Sequence, residues 1–532
     1  MNVHWLGQLS AWIVVVCFPA ILLAANDGEL TIAVADADTK QPIAVRMHLR
    51  DARDKPVIPP KAVSWKDHFV FHEKITLQLK PGLYRFAIER GPEYRPRFGD
   101  FTIEKNAVDN HIVLLERFVD MKKEGWWSGD LHIHRKPADI ELLMQAEDLH
   151  IAPVITWWNS TNPWESKPLP EKPTVQFDEN RFYNVLAGEF ERAGGALLFF
   201  NLARPLPLKD PTPSADPAGK APPSNAAKPV RENQREHHSG AKFLEMARQQ
   251  ENAHIDIEKP FWLDVPMWIA TAPVDSIGLA NNHRWRGGGF FTEAWGKPRD
   301  QDVYPNPQGN GRWSQDIYYH LLNCGLRIPP SAGSASGVLD NPVGYNRVYV
   351  YCGEQLSWEK WWQGLREGKV VVTNGPLLRP RVNGQLPGHV FIERSGEPVT
   401  LDIAVDVGLA EKVDYLEVVK NGHVVQSVPL REYAEKKGKL PPVTFAESGW
   451  LLVRAVTNNQ TTYRFGSTGP YYVQIGERPR VSKKSAQFFV DWVNQRASGI
   501  MIEDPVQREE VLQYHRRAQD YWQKLLAQAN AE

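Results

Sequence analysis

His132 and His134 stand two residues apart in the run "GWWSGDLHIH", residues 125–134. On an extended strand, side chains at i and i+2 leave the same face. The two imidazoles therefore point together and can chelate one cation. Asp130 shares their parity, which suits a carboxylate that orients a ligating imidazole through its other ring nitrogen. Other polar groups stand where predicted strands end: Glu189 and Glu191 after "YNVLAGE", His254, Asp256 and Glu258 in "NAHIDIEKPFW", and Asn281, Asn282 and His283 after "VDSIGLA". Catalytic groups of α/β barrels gather at such strand ends. Each residue alone has an ordinary reading: Glu189 pairs with Arg192 or Arg204, His254 and His283 are hydrogen-bonded core, and Asp256 and Glu258 form a solvated edge.

Brought together, these types suit a bound divalent ion, and with it metal-assisted hydrolysis. A divalent ion polarises the scissile bond and activates water. Glu191 or Asp256 is the expected general base. Trp126, Trp127, Trp157 and Trp158, with Asn159, are the expected walls of a cleft for a planar or sugar-bearing substrate. Paired carboxylates of a glycoside hydrolase fit poorly, because Glu189 and Glu191 share one strand face and sit too close to flank a sugar ring. A nucleophilic serine in "GSASG" lacks an identifiable histidine partner beside it.

The elements that must position these groups follow from hydrophobic period. Residues 28–118 alternate apolar and polar residues between turns, as in "ELTIAVAD" and "KITLQLKPGLYRFAIER", which predicts an N-terminal β-sandwich over 26–118. His68 and His72 read there as surface residues. Over 119–375 the pattern becomes strand, helix, strand, with helices predicted at 138–149, 240–251, 262–271, 314–324 and 357–367. That alternation predicts a parallel sheet and permits a closed β/α barrel. Residues 205–235 form a Pro/Ala/Ser/Lys-rich insertion that reads as a mobile loop. Alternation returns over 376–480, a second β-sandwich, and 481–532 reads as a helical tail with Val511, His515, Ala518, Trp522 and Leu525 on one face.

Residues 125–375 resemble the PHP superfamily of metal-dependent phosphoesterases, particularly its secreted CehA/McbA-type metallohydrolases. The resemblance rests on "GWWSGDLHIH", "LAGEFE", "AHIDIEKPFW" and "PSAGSASG", with "GKVVVTNGP" trailing. It implies a distorted PHP-like β/α barrel that holds divalent ions (Zn, Mn or Fe) and hydrolyses phosphoesters, sometimes carbamates or amides. His132, His134, Glu189 and His254 fall at matching ligand positions. Trp157 and Trp158 replace an Asp and a ligand His, "GGALLFFN" lacks the family histidine, and Ala335 and Gly337 replace a final Asp and His. The motifs therefore supply one ion, at most two, and His283 is expected to compensate for a lost ligand.

Bulk properties bound the partners. With 62 basic and 63 acidic residues in 532, the net charge is −1, which gives no electrostatic footprint for nucleic acid or an anionic membrane. The length suggests about three or four domains. Residues 1–25 carry an apolar run from Trp12 to Leu23 ending in Ala24-Ala25. That reads as a secretory signal, or as an uncleaved N-terminal anchor, and implies export. Cys324 and Cys352, which remain after cleavage, form one bridge or pack as small buried side chains. The expected partner is a small-molecule or carbohydrate-linked ester; the alternative is a non-catalytic, Trp-lined carbohydrate- or ligand-binding protein on a decayed PHP barrel.

Overall fold

The computed structural model of the protein describes residues 27–159, 161–207 and 239–532. The signal or anchor segment and the insertion beyond residue 207 lie outside the described residues. No helix among the described residues is long and apolar enough to cross a membrane.

The N-terminal strands form two sheets. Gly28–Asp36 lies between Lys74–Leu79 and Val108–Leu115 in the first. Its alternation is literal: Leu30, Ile32 and Val34 are buried. The second sheet runs Val63–Trp65, His68–His72, Ala44–Asp51, Gly82–Glu89, Arg97–Ile103. Both sheets feed one core, to which Leu30, Ile32, Met47, Phe69 and Ile88 contribute. His68 is not a surface residue here, being only 1% exposed; His72 is exposed.

The expected β/α barrel over 119–375 is not what the chain builds. Its strands belong to a mixed 16-stranded sheet that continues into the C-terminal region. Trp126–Gly129, Ile151–Trp158 and Phe182–Arg192 are parallel. Only residues 193–194 then separate Phe182–Arg192 from Gly195–Phe200, and such a connection makes an antiparallel hairpin with no crossover helix. Gly195–Phe200 is also antiparallel to His254–Ile257. Ser276–Ala280 and Pro330–Ala332 restore parallel pairing, whereas Arg347–Tyr351 and Val370–Thr373 are antiparallel additions beside Trp126–Gly129. Apolar runs such as "GALLFF" read identically in either direction, so periodicity could not reveal these reversals.

The sheet passes through Phe465–Thr468 to Gly449–Thr457 and Val413–Lys420, so the region expected as a separate C-terminal sandwich shares its sheet with the centre. A three-stranded sheet of Leu377–Val382, Val399–Gly408 and Lys439–Phe445 packs on it around Leu401, Val405, Leu416 and Val453. Helices Lys483–Ser498 and Pro505–Ala527 close the chain. Phe489 stacks on Trp522 at 4.5 Å, and the Trp522 indole donates to Pro266 O at 3.0 Å. Cys324 and Cys352 are both free thiols.

Residues 131–134 are held from both sides. Leu131 N donates to Ala332 O at 3.0 Å and His134 N to Ser336 O at 2.7 Å, while Ile155 N donates to Ile133 O at 2.8 Å. This short segment therefore lies between the strand Ile151–Trp158 and the 332–336 turn.

Candidate metal centre

The histidine segment is fixed from beneath by Asp130. Its buried carboxylate accepts from His132 N at 3.0 Å, Ser334 N at 2.9 Å and Gly344 N at 2.7 Å, and from Ser334 Oγ at 2.5 Å. Asp130 thus anchors backbone and does not touch a ring nitrogen, contrary to the expected role. The "GSASG" turn then wraps the two histidines. A Cβ on Gly333 would sit 2.5 Å from His132 Cβ, and one on Gly337, at φ +102°, would sit 2.6 Å from His134 O. Only glycine permits that approach.

Across the sheet, Glu189 on Phe182–Arg192 completes the group. Its backbone pairs with Trp158, and Asn159 locks the strand end by donating its N–H to Glu189 O at 2.9 Å and accepting from Glu191 N at 2.8 Å. His132 Nε2 lies 3.1 Å from His134 Nε2 and 3.5 Å from Glu189 Oε1, and His134 Nε2 lies 3.1 Å from Glu189 Oε2. An ion bonded tetrahedrally at about 2.0–2.1 Å holds its ligands about 3.3–3.4 Å apart. These contacts, which reach both Glu189 oxygens, bracket that spacing. Glu189 Oε2 is buried without a hydrogen-bond donor despite its nearness to His134, an orientation that fits coordination better than ion pairing. Three protein ligands and an open side are the pattern of a catalytic site; the residues present fit one divalent ion.

Glu258, and not Asp130, is the carboxylate that faces the other ring nitrogen of His132. Its Oε1 lies 3.4 Å from His132 Nδ1, and its Oε2 accepts from Lys259 Nζ and from the Trp262 indole at 3.1 Å. Burial opposes charge on His132, but Glu189 and Glu258 override it and push its pKa up to about 10. Burial lowers that of His134, against the pull of Glu189. Burial and then the Glu189 charge push Glu191 up to about 7. Burial also opposes charge on Glu258, yet Lys259 and His132 hold it below the usual carboxylate range. The field at the shared point is thus one that favours a cation.

A cavity of ≈ 210 Å³ opens on this group. Glu191, Lys259 and His283 line it with Trp158, Trp262, Phe290 and Trp295. Trp158 stands 5.0 Å from the His134 ring. Phe290 and Trp295 carried no sequence signal, because they lie on irregular turns after residue 280, and Lys259 and Trp262 stand in "AHIDIEKPFW" but are not among the residues expected at the site.

Several expected site residues lie elsewhere. His254 is buried, with Nε2 2.8 Å from Ser276 Oγ and its ring 4.7 Å from Trp362; it is no ligand of this group. Asp256 accepts from Ser276 at 2.5 Å and from Ser331. Burial pushes it up to about 7, but it does not line the cavity and cannot reach water there as a base. His283 faces the cavity between Phe261 and Phe290 (5.3 and 4.9 Å) and is not among the clustered ligand atoms. Trp157 is core: its indole donates to Leu186 O at 3.0 Å and stacks on Phe199 at 6.0 Å. Trp127 is also core, donating to Gly353 O at 2.9 Å, and Asn159 is spent on the backbone.

Among the described residues a second group, His48, Asp67 and His68, also has metal-holding geometry.

No protein-family model matches the chain, and no curated protein matches it. Among solved structures, the Bacillus anthracis TIE protein is similar at 25% identity over 21% of this chain and 20% of its own, with a TM-score of 0.13. A pilus-presented adhesin, Spy0125 (Cpa), is similar at 12% identity over 17% of this chain and 27% of its own, again at a TM-score of 0.13. The chain thus spans about a quarter or less of the length of these two proteins.

Proposed function

We propose that the protein is an exported metal-dependent hydrolase in which His132, His134 and Glu189 hold one zinc, manganese or iron ion. The observation that carries this reading is the cluster of His132, His134 and Glu189, with contacts of 3.1, 3.1 and 3.5 Å, opening on a cavity with Glu191 in its wall. Its motifs "GDLHIH" and "LAGEFE" are also those that resemble the metal-dependent phosphoesterases. Bound there, the ion supplies Lewis acidity and activates water at neutral pH.

The chain's own residues do the rest. Glu191 takes the proton from attacking water, since a base suited to neutral pH is one whose pKa lies near it. Glu258 faces the His132 ring from the side away from the ion. Lys259 brings a positive charge to the cavity, where charge develops on a cleaved ester. Trp158, Trp262 and Trp295 exclude water and stack on a small-molecule or carbohydrate-linked ester. Chelation followed by desalting should abolish hydrolysis of 4-nitrophenyl phosphate and acetate, and added zinc, manganese or iron should restore it. Turnover untouched by chelation overturns the proposal.

The density of aromatic rings around the cavity favours a second reading, a ligand-binding protein without turnover. Saturable glycan binding by a fully metal-loaded preparation that hydrolyses no ester would select it.

A further inference from the structure

We propose a second divalent-cation site on His48, Asp67 and His68, which clips the Trp65 turn against the wall of the first site's cavity. It does not depend on the hydrolase reading.

The strand register builds it. Ala44–Asp51 and His68–His72 are antiparallel, with Met47 opposite Phe69. One step further places His48 opposite His68, and directly opposed side chains share a face about 4.5–5.5 Å apart. Their rings stand 5.3 Å apart. Asp67, on the turn between Val63–Trp65 and His68–His72, reaches both: His48 Nδ1 to Oδ2 is 3.2 Å and His68 Nδ1 to Oδ1 is 3.2 Å. All three ligand atoms lie within 4.8 Å of one another.

An independent observation points to a ligand. His48 is 5% exposed, yet neither of its ring nitrogens has a hydrogen-bond partner. A buried polar atom left so is destabilising, and a cation on Nδ1 satisfies that nitrogen. Two imidazoles and one carboxylate form a set suited to first-row divalent ions.

Three cations already sit nearby. Arg46 pairs with Glu89 and with Glu147, the latter at 3.2 Å, and Arg286 pairs with the same Glu89. Arg50 shares Asp67 Oδ2 at 3.2 Å, but it is partly exposed and has Asp54 at 3.6 Å as an alternative partner. Arg50 is therefore a competitor for Asp67 that can withdraw.

The clip has a target. The Trp65 indole donates to Leu339 O at 2.7 Å, and Arg135 donates to Ser64 O at 2.9 Å while lying over the Trp65 ring. Leu339 lines the cavity, and Arg135 follows His134. Fastening Asp67 and His68 to His48 thus fixes one wall of the first centre.

The test counts metal in full-length protein stripped, reloaded with zinc and desalted. His132→Ala/His134→Ala should keep one equivalent, and adding Asp67→Asn should remove it while the circular dichroism stays unchanged. Arg50→Ala, which removes the competitor, should tighten that equivalent about threefold, the worth of an exposed ion pair. No zinc in His132→Ala/His134→Ala, or zinc indifferent to both Asp67→Asn and Arg50→Ala, overturns the site. Failure of the first centre would instead appear as wild-type zinc content unaltered by His132→Ala/His134→Ala.

Discussion

Glu258 stands 3.4 Å from His132 Nδ1 with one carboxylate oxygen and holds Lys259 with the other. Partners that orient a metal-bound imidazole typically contribute about 10–100-fold to affinity. Glu258→Gln, which keeps the volume and loses the charge, should weaken metal binding by about that factor. Competition against a chromogenic chelator measures it; an unchanged affinity would mean that His132 is oriented by other contacts.

Glu191 is expected to act on water and not on the ion. Glu191→Gln should lower kcat about 10²–10⁴-fold, the usual worth of a general base, with metal content and KM nearly unchanged. Loss of metal in that variant would reassign Glu191 as a ligand.

Asp148 governs stability away from the site. It is buried among Arg90, Arg117 and Arg181, at 3.2, 2.6 and 2.6 Å. Burial raises its pKa, but those guanidiniums more than offset it and hold it well below the ordinary 3.8. Its folded-state pKa is depressed, so its contribution is complete above about 3.9, the unfolded value, and is lost as pH falls below that. Asp148→Asn should cost about 3–5 kcal/mol at neutral pH by leaving buried charges unpaired. Denaturant titrations at pH 7 and near pH 3 should show the difference between wild type and variant shrinking at the lower pH.

Gly188 admits the Trp157 indole. A Cβ there would fall 1.8 Å from Trp157 Cε2, and the indole has its hydrogen bond at Leu186 to lose. Gly188→Ala should destabilise the protein by about 1–3 kcal/mol or more, read as a lower Tm. Because the change lies next to Glu189, metal affinity should fall with it.

The sequence made part of this centre legible because part of it is local. His132 and His134 are two residues apart, and Glu189 ends a strand whose apolar run is plain. Parity misled at Asp130, since residues 130–134 make only isolated bridges at Ile133, to Val154 and Ser336, and the carboxylate folds back to Ser334 and Gly344. Position along the strand misled at His254: it opens His254–Ile257, whose other end delivers Glu258 to His132, and its ring lies against Phe200 and Trp362. The antiparallel run of Gly195–Phe200 removed the expected barrel. Composition misled at Trp157 and Trp127, whose indoles found backbone acceptors and became core. His68 looked exposed because nothing local announces that Asp67 and His48 will pair with it. Alternation in the terminal strands was legible, as Leu30, Ile32 and Val34 show, since it depends on neighbours two residues away and not on topology.

The most direct test is elemental analysis of the protein reconstituted with zinc, manganese or iron, beside His134→Ala and Glu189→Gln. Each variant should lose one tightly held equivalent of the ion that the wild type retains, with circular dichroism unchanged. Identical metal content in all three proteins, or none in the wild type after reconstitution with any of the three ions, would contradict a metal centre on His132, His134 and Glu189.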